Sequence, residues 1–340
     1  MTGVSVSVIV LAYGTEEFLS ECVEAALGRS SEDVEVIVVD NGASVAVAAL
    51  GDHPRLRVEQ AARNLGYAGG CNYGAGFARG DTFVFLNSDA VVEPAAVRRL
   101  AEAANEPGVG LASGDIRLAA KPDTMNSAGN PVHFLGIVWA GSFGEPAIRH
   151  TTRTDVATAS GAFLAVSRAV WNKLGGFNET YFAYHEDAEL SLRAWQRGWR
   201  VVFVPGAAVR HHYEFSRNPG KQYLLERNRW ITVLTTYPGP VLARVLPAML
   251  AFDVALTAVA AVQGWLPAKL KSWAWLVGHV GYLRRRRREV QAANEMEPMD
   301  FAGLLATRIE PAMIERPPGL GPLNAVLSAY WRLASHGLSR

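Results

Sequence analysis

The sequence predicts an α/β fold in which helices cover both faces of a mostly parallel central sheet. Strand-like and helix-like segments alternate over residues 1–115, which is the pattern of a parallel sheet with crossover helices. Hydrophobic residues make up 49% of the chain and charged residues 19%, so a large core can form and general disorder is excluded. After Pro238 the sequence becomes strongly apolar, which predicts an additional helical region.

Hydrophobic periodicity places the elements in order along the chain. In the first half, strands are predicted at Val4–Ala12, Val34–Val39, Leu56–Glu59 and Thr82–Leu86, and helices at Glu17–Leu27, Gly69–Ala78 and Glu93–Asn105. Glycine and proline with weak periodicity predict loops over residues 115–155, as is common above an active site. Two further strands, Ser160–Ser167 and Trp199–Val204, flank a helix at Asp187–Arg197.

Charge and cysteine content exclude several classes of protein. The net charge is +1, from 33 basic and 32 acidic residues, so no nucleic-acid partner is expected. Two cysteines, Cys22 and Cys71, are too few for a disulfide framework and are compatible with a reducing compartment. The N-terminus has no basic segment before its first strand, so we expect no cleaved signal peptide.

The C-terminal part has the composition of a membrane-associating region. Val241–Trp265 is interrupted only by Arg244 and Asp253, and the charge-free stretch Val254–Ala268 has 15 residues, fewer than the ~20 that span a bilayer. Tryptophans at 273 and 275 and the run Arg284–Arg288 favour a segment lying in an anionic membrane surface. The alternative is a helical hairpin packed on the catalytic domain or on the second subunit of a homodimer. We predict two domains, residues 1–237 and 238–340.

One carboxylate lies where open α/β sheets bind ligands. In TFVFLNSDA, Asp89 follows a predicted buried strand and should lie at the carboxyl edge of the sheet. A divalent metal there needs further ligands, and His211 or His212, just beyond a later strand, could supply a neutral imidazole.

Two more segments near strand ends have alternative interpretations. Asp40 either accepts the imide N–H of a pyrimidine base or closes an Asx turn before the next helix. The six glycines within residues 63–81 either let a phosphate or sugar approach a helix N-terminus or form a tight turn without a ligand.

The segment YFAYHEDAELSLRAWQRGWR carries two adjacent acids at a helix start. Glu186 and Asp187 are either first-turn and capping acids favoured by the helix dipole or a general base in a cleft. Further along, Arg227 and Arg229 either grip a diphosphate or form the solvated face of an amphipathic helix.

These segments, in this order, resemble the inverting family-2 glycosyltransferases of GT-A fold, over roughly residues 4–235. The fold implied is a Rossmann-like, mostly parallel central sheet with helices on both faces. The most similar sub-group is the rhamnosyltransferase-like members of bacterial cell-wall and O-antigen pathways. The resemblance rests on VSVIVLAYG, VEVIVVDNGAS, NLGYAGGCNYG, FLNSDA, SGAFLAVSR with LGGFNETYF, HEDAELSLRAWQRGW and VPGAAVRH.

The resemblance implies a role for each matching residue. Asp187 becomes the catalytic base, and Asp89, the last residue of a reduced D-x-D motif, binds Mg²⁺ or Mn²⁺ together with His211. Asn87 in the first D-x-D position is a weaker ligand for a hard cation, and the acid often found shortly after Ser44 is absent, since Val45 follows. The implied nucleotide-binding residues are Ala12, Tyr13, Asp40, Asn64, Gly69, Asn87, Ser88 and Asp89, and the implied acceptor- or diphosphate-binding residues are His185, Glu186, Trp139, Arg227 and Arg229.

The implied function is transfer of a sugar, L-rhamnose from dTDP-rhamnose in the first instance, to a hydroxyl of a polyprenyl-diphosphate-linked saccharide. The expected partners are a nucleotide-sugar donor, a lipid-linked acceptor and the cytoplasmic face of the plasma membrane, bound peripherally. The alternatives are a UDP-sugar transferase using galactofuranose, glucose or GlcNAc, a metal-dependent phosphohydrolase built on Asp89, Asp187 and His211, and a non-catalytic scaffold.

Overall fold

The computed structural model describes residues 5–31, 33–212, 220–310 and 319–338. Within them, ten strands form one sheet whose main path is β3-β2-β1-β4-β10-β6-β11-β5, with β7 on β6 and β9 on β11, and a separate pair joins β8 to β12. The strands are β1 Val6–Ala12, β2 Val34–Asp40, β3 Leu56–Gln60, β4 Thr82–Asn87, β5 Ala90–Val92, β6 Val109–Leu118, β7 Lys121–Ser127, β8 Val132–His133, β9 Thr154–Asp155, β10 Phe163–Ser167, β11 Arg200–His211 and β12 Leu305–Ala306.

The α/β prediction is confirmed, and the parallel part is the half formed by β3, β2, β1 and β4. The other half is mixed, because β10 runs antiparallel to both β4 and β6, whereas β11 is parallel to β6. The helices are α1 Leu19–Gly28, α2 Ser44–Ala48, α3 Gly66–Ala75, α4 Ala96–Ala104, α5 Arg168–Leu174, α6 Glu186–Gln196, α7 Lys221–Thr236, α8 Gly239–Val262, α9 Leu266–Gly278, α10 Val280–Ala292, α11 Pro298–Gly303 and α12 Leu320–His336.

Two apolar clusters, one on each face of the sheet, hold these layers together. Leu19 of α1 and Leu100 of α4 pack with inward residues of β1 and β2 on one face. Cys71 of α3, Trp171 of α5 and Leu190 of α6 pack on the other. Both free cysteines are buried, and burial raises their thiol pKa values far above the usual range, so they serve as small core residues.

The glycines of α3 serve helix-to-sheet packing. A Cβ added at Gly70 would lie 2.2 Å from Leu11 of β1, and one at Gly74 would lie 2.7 Å from Ile9. These glycines therefore let α3 approach β1 more closely than any other residue type would allow.

The region 115–155, predicted as loops, contains the end of β6 and the strands β7, β8 and β9, which the periodicity missed. β6 continues through residue 118 and β7 returns beside it in an antiparallel hairpin. β11 is also longer than predicted, because an irregularity between Phe203 and Ala208 accommodates Pro205 and Gly206 without ending the ladder. Val4, predicted to begin the first strand, lies outside the described residues.

The C-terminal helices share a core with the α/β part across the predicted boundary at residues 237 and 238. Phe134, which lies in the α/β part, stacks on Trp331 of α12 with the ring centres 4.8 Å apart. Trp230 and Val233 of α7 belong to the same cluster as Val241 and Val245 of α8. The helical region is therefore packed on the catalytic part, as the alternative interpretation predicted.

Four buried charges join α7, α8 and α9. Arg229 Nη2 lies 3.0 Å from Glu226 Oε2 and 2.5 Å from Asp253 Oδ1, and Lys269 Nζ lies 2.5 Å from the same Asp253 oxygen and also contacts Glu226. The indole N–H groups of Trp230 and Trp273 donate to Asp253 as well. We call these four charged residues, Glu226, Arg229, Asp253 and Lys269, the buried charge cluster.

α8 is long and apolar enough to cross a membrane by length and composition, and 22% of its most apolar 18-residue window is buried. On its outer face Leu250 is 57% exposed and Val254 71% exposed, and Val277 of α9 is 76% exposed. Two arginines of the run in α10 contact protein groups, and the other three are exposed. Arg286 bonds buried Glu189 and Arg287 donates to the carbonyls of Leu234 and Tyr237, whereas Arg284, Arg285 and Arg288 are exposed.

Candidate active site

Strand register gathers several predicted site residues at one edge of the sheet. Ala12, the last residue of β1, is opposite Asp40, the last residue of β2, and Leu11 is opposite Asn87 at the end of β4. These strands are parallel, so their carboxyl ends meet at the same edge, where α/β sheets bind ligands.

Asp89 and His211 lie in contact beyond this edge. β5 follows Asp89 directly and pairs with the end of β11, with Ala90 opposite His211. As a result, Asp89 Oδ1 lies 3.0 Å from His211 Nε2. The ring of His212 instead stacks on Phe18 at 3.6 Å. The His212 N–H donates to the Asp89 carbonyl at 2.8 Å, but the structure brings the ring of His211, and not that of His212, to the Asp89 carboxylate.

The imidazole of His211 is oriented from its other side. Its Nδ1 lies 2.8 Å from Oδ1 of Asn126 on β7, and Asn87 Nδ2 lies 3.4 Å from Nε2. A polar partner on the far nitrogen is the usual way that proteins orient a metal-ligating histidine. Asn126 is a site residue that the sequence analysis missed, because its strand has weak periodicity.

A carboxylate oxygen and an imidazole nitrogen facing one another suit Mg²⁺ or Mn²⁺. Among the described residues, no group of three or more His, Cys, Asp or Glu side chains is arranged to hold a metal. Asp89 and His211, with Asn87 beside them, could therefore hold such a cation only together with ligands from a bound molecule.

The Asp40 carboxylate is bonded to the turn that follows it. Its Oδ1 accepts from the backbone N–H groups of Gly42 at 3.0 Å and Ala43 at 2.7 Å, and its Oδ2 accepts from Ser44 Oγ at 2.8 Å. Burial raises the pKa of Asp40, but these three hydrogen bonds outweigh it and the net pKa is lowered. The Asx-turn interpretation therefore describes the local structure, and base recognition stays a prediction.

Two other predicted nucleotide-binding residues lie around this turn. The Tyr13 ring is 58% exposed, and it lies against Gly42, where an added Cβ would be 3.4 Å from it. Asn64 accepts from Asn41 Nδ2 at 3.0 Å and from the N–H of Gly66 at 2.8 Å, which supports the start of α3. Gly69 lies in the first turns of that helix.

The predicted base, Asp187, lies in the first turn of α6 and is held by backbone groups. Its Oδ2 accepts from Gly161 N–H at 2.8 Å, and its Oδ1 accepts from Ala188 N–H at 2.7 Å. Gly161 is next to Ala162, whose carbonyl accepts from Asn87 N–H at 3.0 Å. Residues 161 and 162, just before β10, therefore connect the Asp187 carboxylate to Asn87 at the end of β4, two residues before Asp89.

Glu186 is the more buried of the two acids, and its Oε2 has no hydrogen-bond partner. Burial and the neighbouring Asp187 charge raise the pKa of Glu186 well above its usual value. Burial also raises the pKa of Asp187, although the Gly161 and Ala188 N–H groups oppose the rise. Because only Asp187 has both oxygens stabilised, Asp187 ionises first and Glu186 keeps its proton longer.

Tyr67 completes the surroundings of Asp187 and was not singled out from the sequence. Its hydroxyl donates to the Gly161 carbonyl at 2.5 Å. Gly161 is therefore hydrogen-bonded through both backbone groups, its carbonyl to Tyr67 and its N–H to Asp187. A Cβ at this glycine would lie 3.3 Å from the Tyr67 oxygen and 3.5 Å from Asp187 Oδ2, so a larger residue would crowd both.

The predicted acceptor-binding residues have varied surroundings. His185 is buried with Nδ1 unpartnered, and burial together with the Arg229 charge lowers its pKa to about 4, so it is neutral at physiological pH. Trp139 lines a cavity of about 450 Å³ beside Glu145 and Arg308.

The two predicted diphosphate-binding arginines contact protein groups. Arg229 belongs to the buried charge cluster, and Arg227 donates to the carbonyls of Thr180 and Tyr181 at 2.7 and 2.8 Å. Neither guanidinium has the solvated position that the amphipathic-helix alternative predicted. Both arginines therefore have a role within the protein, and the diphosphate contact expected from the sequence stays a prediction.

Comparison with known proteins identifies the family. The family model described as glycosyltransferase like family 2 matches residues 3–232. The chain belongs to glycosyltransferase family 2. This confirms the resemblance inferred from the sequence and makes the protein a sugar-transferring enzyme.

Curated relatives of this glycosyltransferase are named for sugar transfer and glycan biosynthesis. An N-acetylglucosaminyl-diphospho-decaprenol L-rhamnosyltransferase of Mycobacterium tuberculosis is 27% identical over 230 residues, covering 60% of this chain and 75% of the relative. The succinoglycan biosynthesis protein ExoO of Rhizobium meliloti is 38% identical over 111 residues, covering 32% of each chain.

Solved structures confirm the GT-A fold. The mannosyltransferase PcManGT from Pyrobaculum calidifontis, in complex with GDP-Man and Mn²⁺, has a TM-score of 0.51 and 17% identity, with 99% of this chain and 87% of that one covered. GalNAc-T7 with UDP, GalNAc and Mn²⁺ has a TM-score of 0.55 and 17% identity. The match covers 68% of this glycosyltransferase and 48% of the GalNAc-T7 chain. At these identities the likeness concerns the fold alone.

Proposed function

We propose that this glycosyltransferase moves L-rhamnose from dTDP-L-rhamnose to a hydroxyl of a saccharide carried on a polyprenyl diphosphate, with inversion at the anomeric carbon. The observation that carries the reaction type is the Asp187 carboxylate, held by two backbone N–H groups beside the carboxyl edge of the sheet. The donor and acceptor are proposed from the name of the mycobacterial relative.

Asp187 acts as the general base. Its carboxylate accepts the proton of the acceptor hydroxyl, whose oxygen attacks the anomeric carbon while the bond to the nucleoside diphosphate breaks. Attack and departure lie on opposite faces of the sugar, so the configuration inverts. Attacking oxygen, anomeric carbon and leaving group must be in line, which requires the base and the diphosphate site to lie on opposite sides of the sugar.

Asp89 and His211, with Asn87 beside them, would hold Mg²⁺ or Mn²⁺ at the donor diphosphate. Such a cation, when bound, neutralises the charge that develops on the leaving diphosphate. Two strong protein ligands make a weak site, so we expect the donor to supply much of the coordination. The exposed Tyr13 ring and the Asp40 turn form the proposed nucleotide end of the site.

We propose that the enzyme binds the cytoplasmic face of the plasma membrane as a peripheral protein, through its C-terminal helices. Asp253 in α8 is bonded to Arg229 of α7 and Lys269 of α9. If α8 spanned the bilayer, Asp253 would have to enter the membrane as a charge or leave these two partners, and either change has a large free-energy cost. An apolar groove of about 520 Å³, bordered by Leu250, Val254 and Val277 among others, suits contact with hydrocarbon chains.

The test is a substrate panel with the purified full chain. dTDP-L-rhamnose, UDP-galactofuranose, UDP-glucose and UDP-GlcNAc are each incubated with Mn²⁺, with and without a polyprenyl-diphosphate N-acetylglucosamine. Nucleoside diphosphate release and the configuration of the new linkage are measured. We expect release from dTDP-L-rhamnose that depends on the acceptor. Preference for a UDP-sugar would overturn the donor proposal, and acceptor-independent release of phosphate would favour a phosphohydrolase.

A further inference from the structure

The backbone segment that leads into α6, residues 180–185, has an unusual conformation. Phe182 has φ 64° and ψ −63°, and Ala183 N–H donates to the Tyr181 carbonyl at 2.7 Å, which together define the rare γ-turn with a positive central φ. Tyr184 and His185 follow with φ of 69° and 70°. Three non-glycine residues with positive φ within four positions persist only where their surroundings enforce the conformation.

Asn228 of α7 supplies part of that enforcement. Its side chain is fully buried, and its Nδ2 lies 2.9, 2.8 and 2.7 Å from the carbonyl oxygens of Tyr181, Ala183 and Tyr184. One amide therefore fixes three of the peptide groups around the strained positions. Since the amide has two N–H groups for three acceptors, at least one of these hydrogen bonds is shared.

Arg227 holds the beginning of the same segment. Its Nη2 donates to the carbonyls of Thr180 and Tyr181, and its Nε donates to Asn228 Oδ1 at 2.9 Å. The guanidinium also lies 5.2 Å from the centre of the Trp275 ring on α9. Arg227 and Asn228 are thus bonded to each other and, together, to the carbonyl groups of Thr180, Tyr181, Ala183 and Tyr184.

The segment continues directly into the catalytic position. His185 is the cap residue of α6, its carbonyl accepts from Glu189 N–H at 2.8 Å, and Asp187 is the second residue of the helix. On the other side, the Phe182 carbonyl accepts from Ala68 N–H of α3 at 3.1 Å. A change in the backbone at residues 181–185 would therefore move the first turn of α6, and the Asp187 carboxylate with it.

We propose that Arg227 and Asn228 are positioning residues for the catalytic base, holding residues 180–185 in the strained conformation that points Asp187 at the acceptor hydroxyl. This inference rests on the proposed function of Asp187. It gives Arg227 a different task from the diphosphate contact expected from the sequence, and the two tasks have different kinetic consequences. Loss of a diphosphate ligand weakens binding of the diphosphate-bearing substrate, whereas loss of a positioning residue lowers kcat.

The experiment compares Asn228→Ala with a matched control, Asn324→Ala, in the full chain. Asn324 is also buried, and its side-chain amide makes two hydrogen bonds to the backbone of Ile309, in the C-terminal region. Arg227→Met removes the donors and keeps much of the aliphatic stem, and Arg227→Lys keeps a cationic donor. Rates are measured with dTDP-L-rhamnose and a polyprenyl-diphosphate N-acetylglucosamine, or with the best pair from the panel, below the unfolding temperature of every variant.

We expect Asn228→Ala to lower kcat by about 10- to 100-fold, the size of effect produced by a misplacement of roughly 1 Å, with both KM values within twofold. Asn324→Ala should leave kcat within twofold. Arg227→Met should lower kcat, and Arg227→Lys should recover at least half of the loss on a logarithmic scale. Equal kcat in the two asparagine variants, or a raised acceptor KM in place of a lowered kcat, overturns the proposal.

Hydrogen exchange separates this proposal from the proposed function. The amides of residues 181–185 should exchange faster in Asn228→Ala than in wild type, and Asn324→Ala should leave them unchanged. This measurement needs no substrate. Unchanged exchange in Asn228→Ala refutes the positioning role whatever the activity. Suppose that exchange is faster in Asn228→Ala but the wild-type protein transfers no sugar from any donor in the panel. This result supports the loop contacts and refutes only the proposed function.

Discussion

The imidazole Nε2 of His211 lies 3.0 Å from Oδ1 of Asp89, although the two residues belong to distant parts of the chain. The β5–β11 ladder creates this contact, because Ala90 is opposite His211 in its register. Asn126 then fixes the far nitrogen of the ring. The proposed metal site is therefore built by strand pairing, and its two ligands can be tested separately from the base.

Replacing His211 should weaken metal-dependent donor binding more than replacing its neighbour. His211→Ala removes the nitrogen ligand, and we expect the apparent Mn²⁺ affinity to fall at least about tenfold, since even outer-shell partners of metal ligands are worth that much. His212→Ala is the matched control, because its ring stacks on Phe18 and does not face Asp89. Donor binding is titrated with Mn²⁺ by calorimetry. Equal affinities in the two variants would contradict the assignment of His211.

The two acids of α6 should respond very differently to amide substitution. Asp187→Asn removes the only group proposed to accept the acceptor proton, so kcat should fall by at least about 100-fold with donor binding unchanged. Glu186→Gln should keep kcat within about tenfold, because burial and the Asp187 charge raise the pKa of Glu186 and so favour its neutral acid form, which an amide resembles. Steady-state kinetics on both variants test this. Near-normal turnover in Asp187→Asn would show that the base lies elsewhere.

Activity should decline with acid at a higher pH than an ordinary aspartate would cause. Burial raises the pKa of Asp187, and only its ionised form accepts a proton. As pH falls through this raised pKa, the ionised fraction and kcat/KM should fall tenfold per pH unit, starting above the usual value of about 4. The profile of kcat/KM between pH 4 and 9 measures it. An acidic limb centred at or below 4 would be inconsistent with a buried base.

Three strands of the parallel half, β1, β2 and β4, could be predicted because they are buried on both faces and consist of apolar runs. β7 could not be predicted, because it pairs with β6, its other contact is an isolated bridge from Thr124 to Pro146, and its first residues, Lys121, Pro122 and Asp123, are exposed. An edge strand of this kind lacks the apolar pattern. The contribution of Asn126 was therefore invisible from the sequence, whereas Asp89 and His211 were found by their positions near strand ends and by family resemblance.

The roles of Arg227 and Arg229 illustrate a second limit. Sequence patterns show that a helix carries arginines, but the direction of each guanidinium depends on partners far along the chain. Asp253 and Lys269 surround Arg229 only because α8 and α9 fold back on α7. Likewise, Gly70 and Gly74 serve the packing of α3 on β1, a requirement that appears only when both elements are in place.

The buried charge cluster should be sensitive to the loss of one member. Asp253→Asn leaves Arg229 and Lys269 to share Glu226, and we expect the free energy of unfolding to fall by about 3 kcal/mol, as is typical when one partner of a buried ion pair is removed. Glu102→Gln is the control, because Glu102 pairs with Arg98 at 3.9 Å and both side chains are exposed, and such a pair contributes less than about 1 kcal/mol. Urea unfolding followed by tryptophan fluorescence measures both. Equal stabilities would show that Asp253 is not held as a buried charge.

Membrane binding should depend on the exposed arginines of α10. Arg284, Arg285 and Arg288 point to solvent, whereas Arg286 and Arg287 are bonded to the protein. At about 1 kcal/mol for each basic residue near an anionic surface, replacing the three exposed arginines with alanine should weaken binding to phosphatidylglycerol vesicles by about 100-fold and leave binding to neutral vesicles unchanged. The control replaces three exposed arginines outside the helical region, Arg79, Arg98 and Arg149, with the same change in net charge. Vesicle flotation at two salt concentrations measures the partition coefficient. Equal losses in both triple variants would mean that net charge, and not the α10 surface, determines membrane binding.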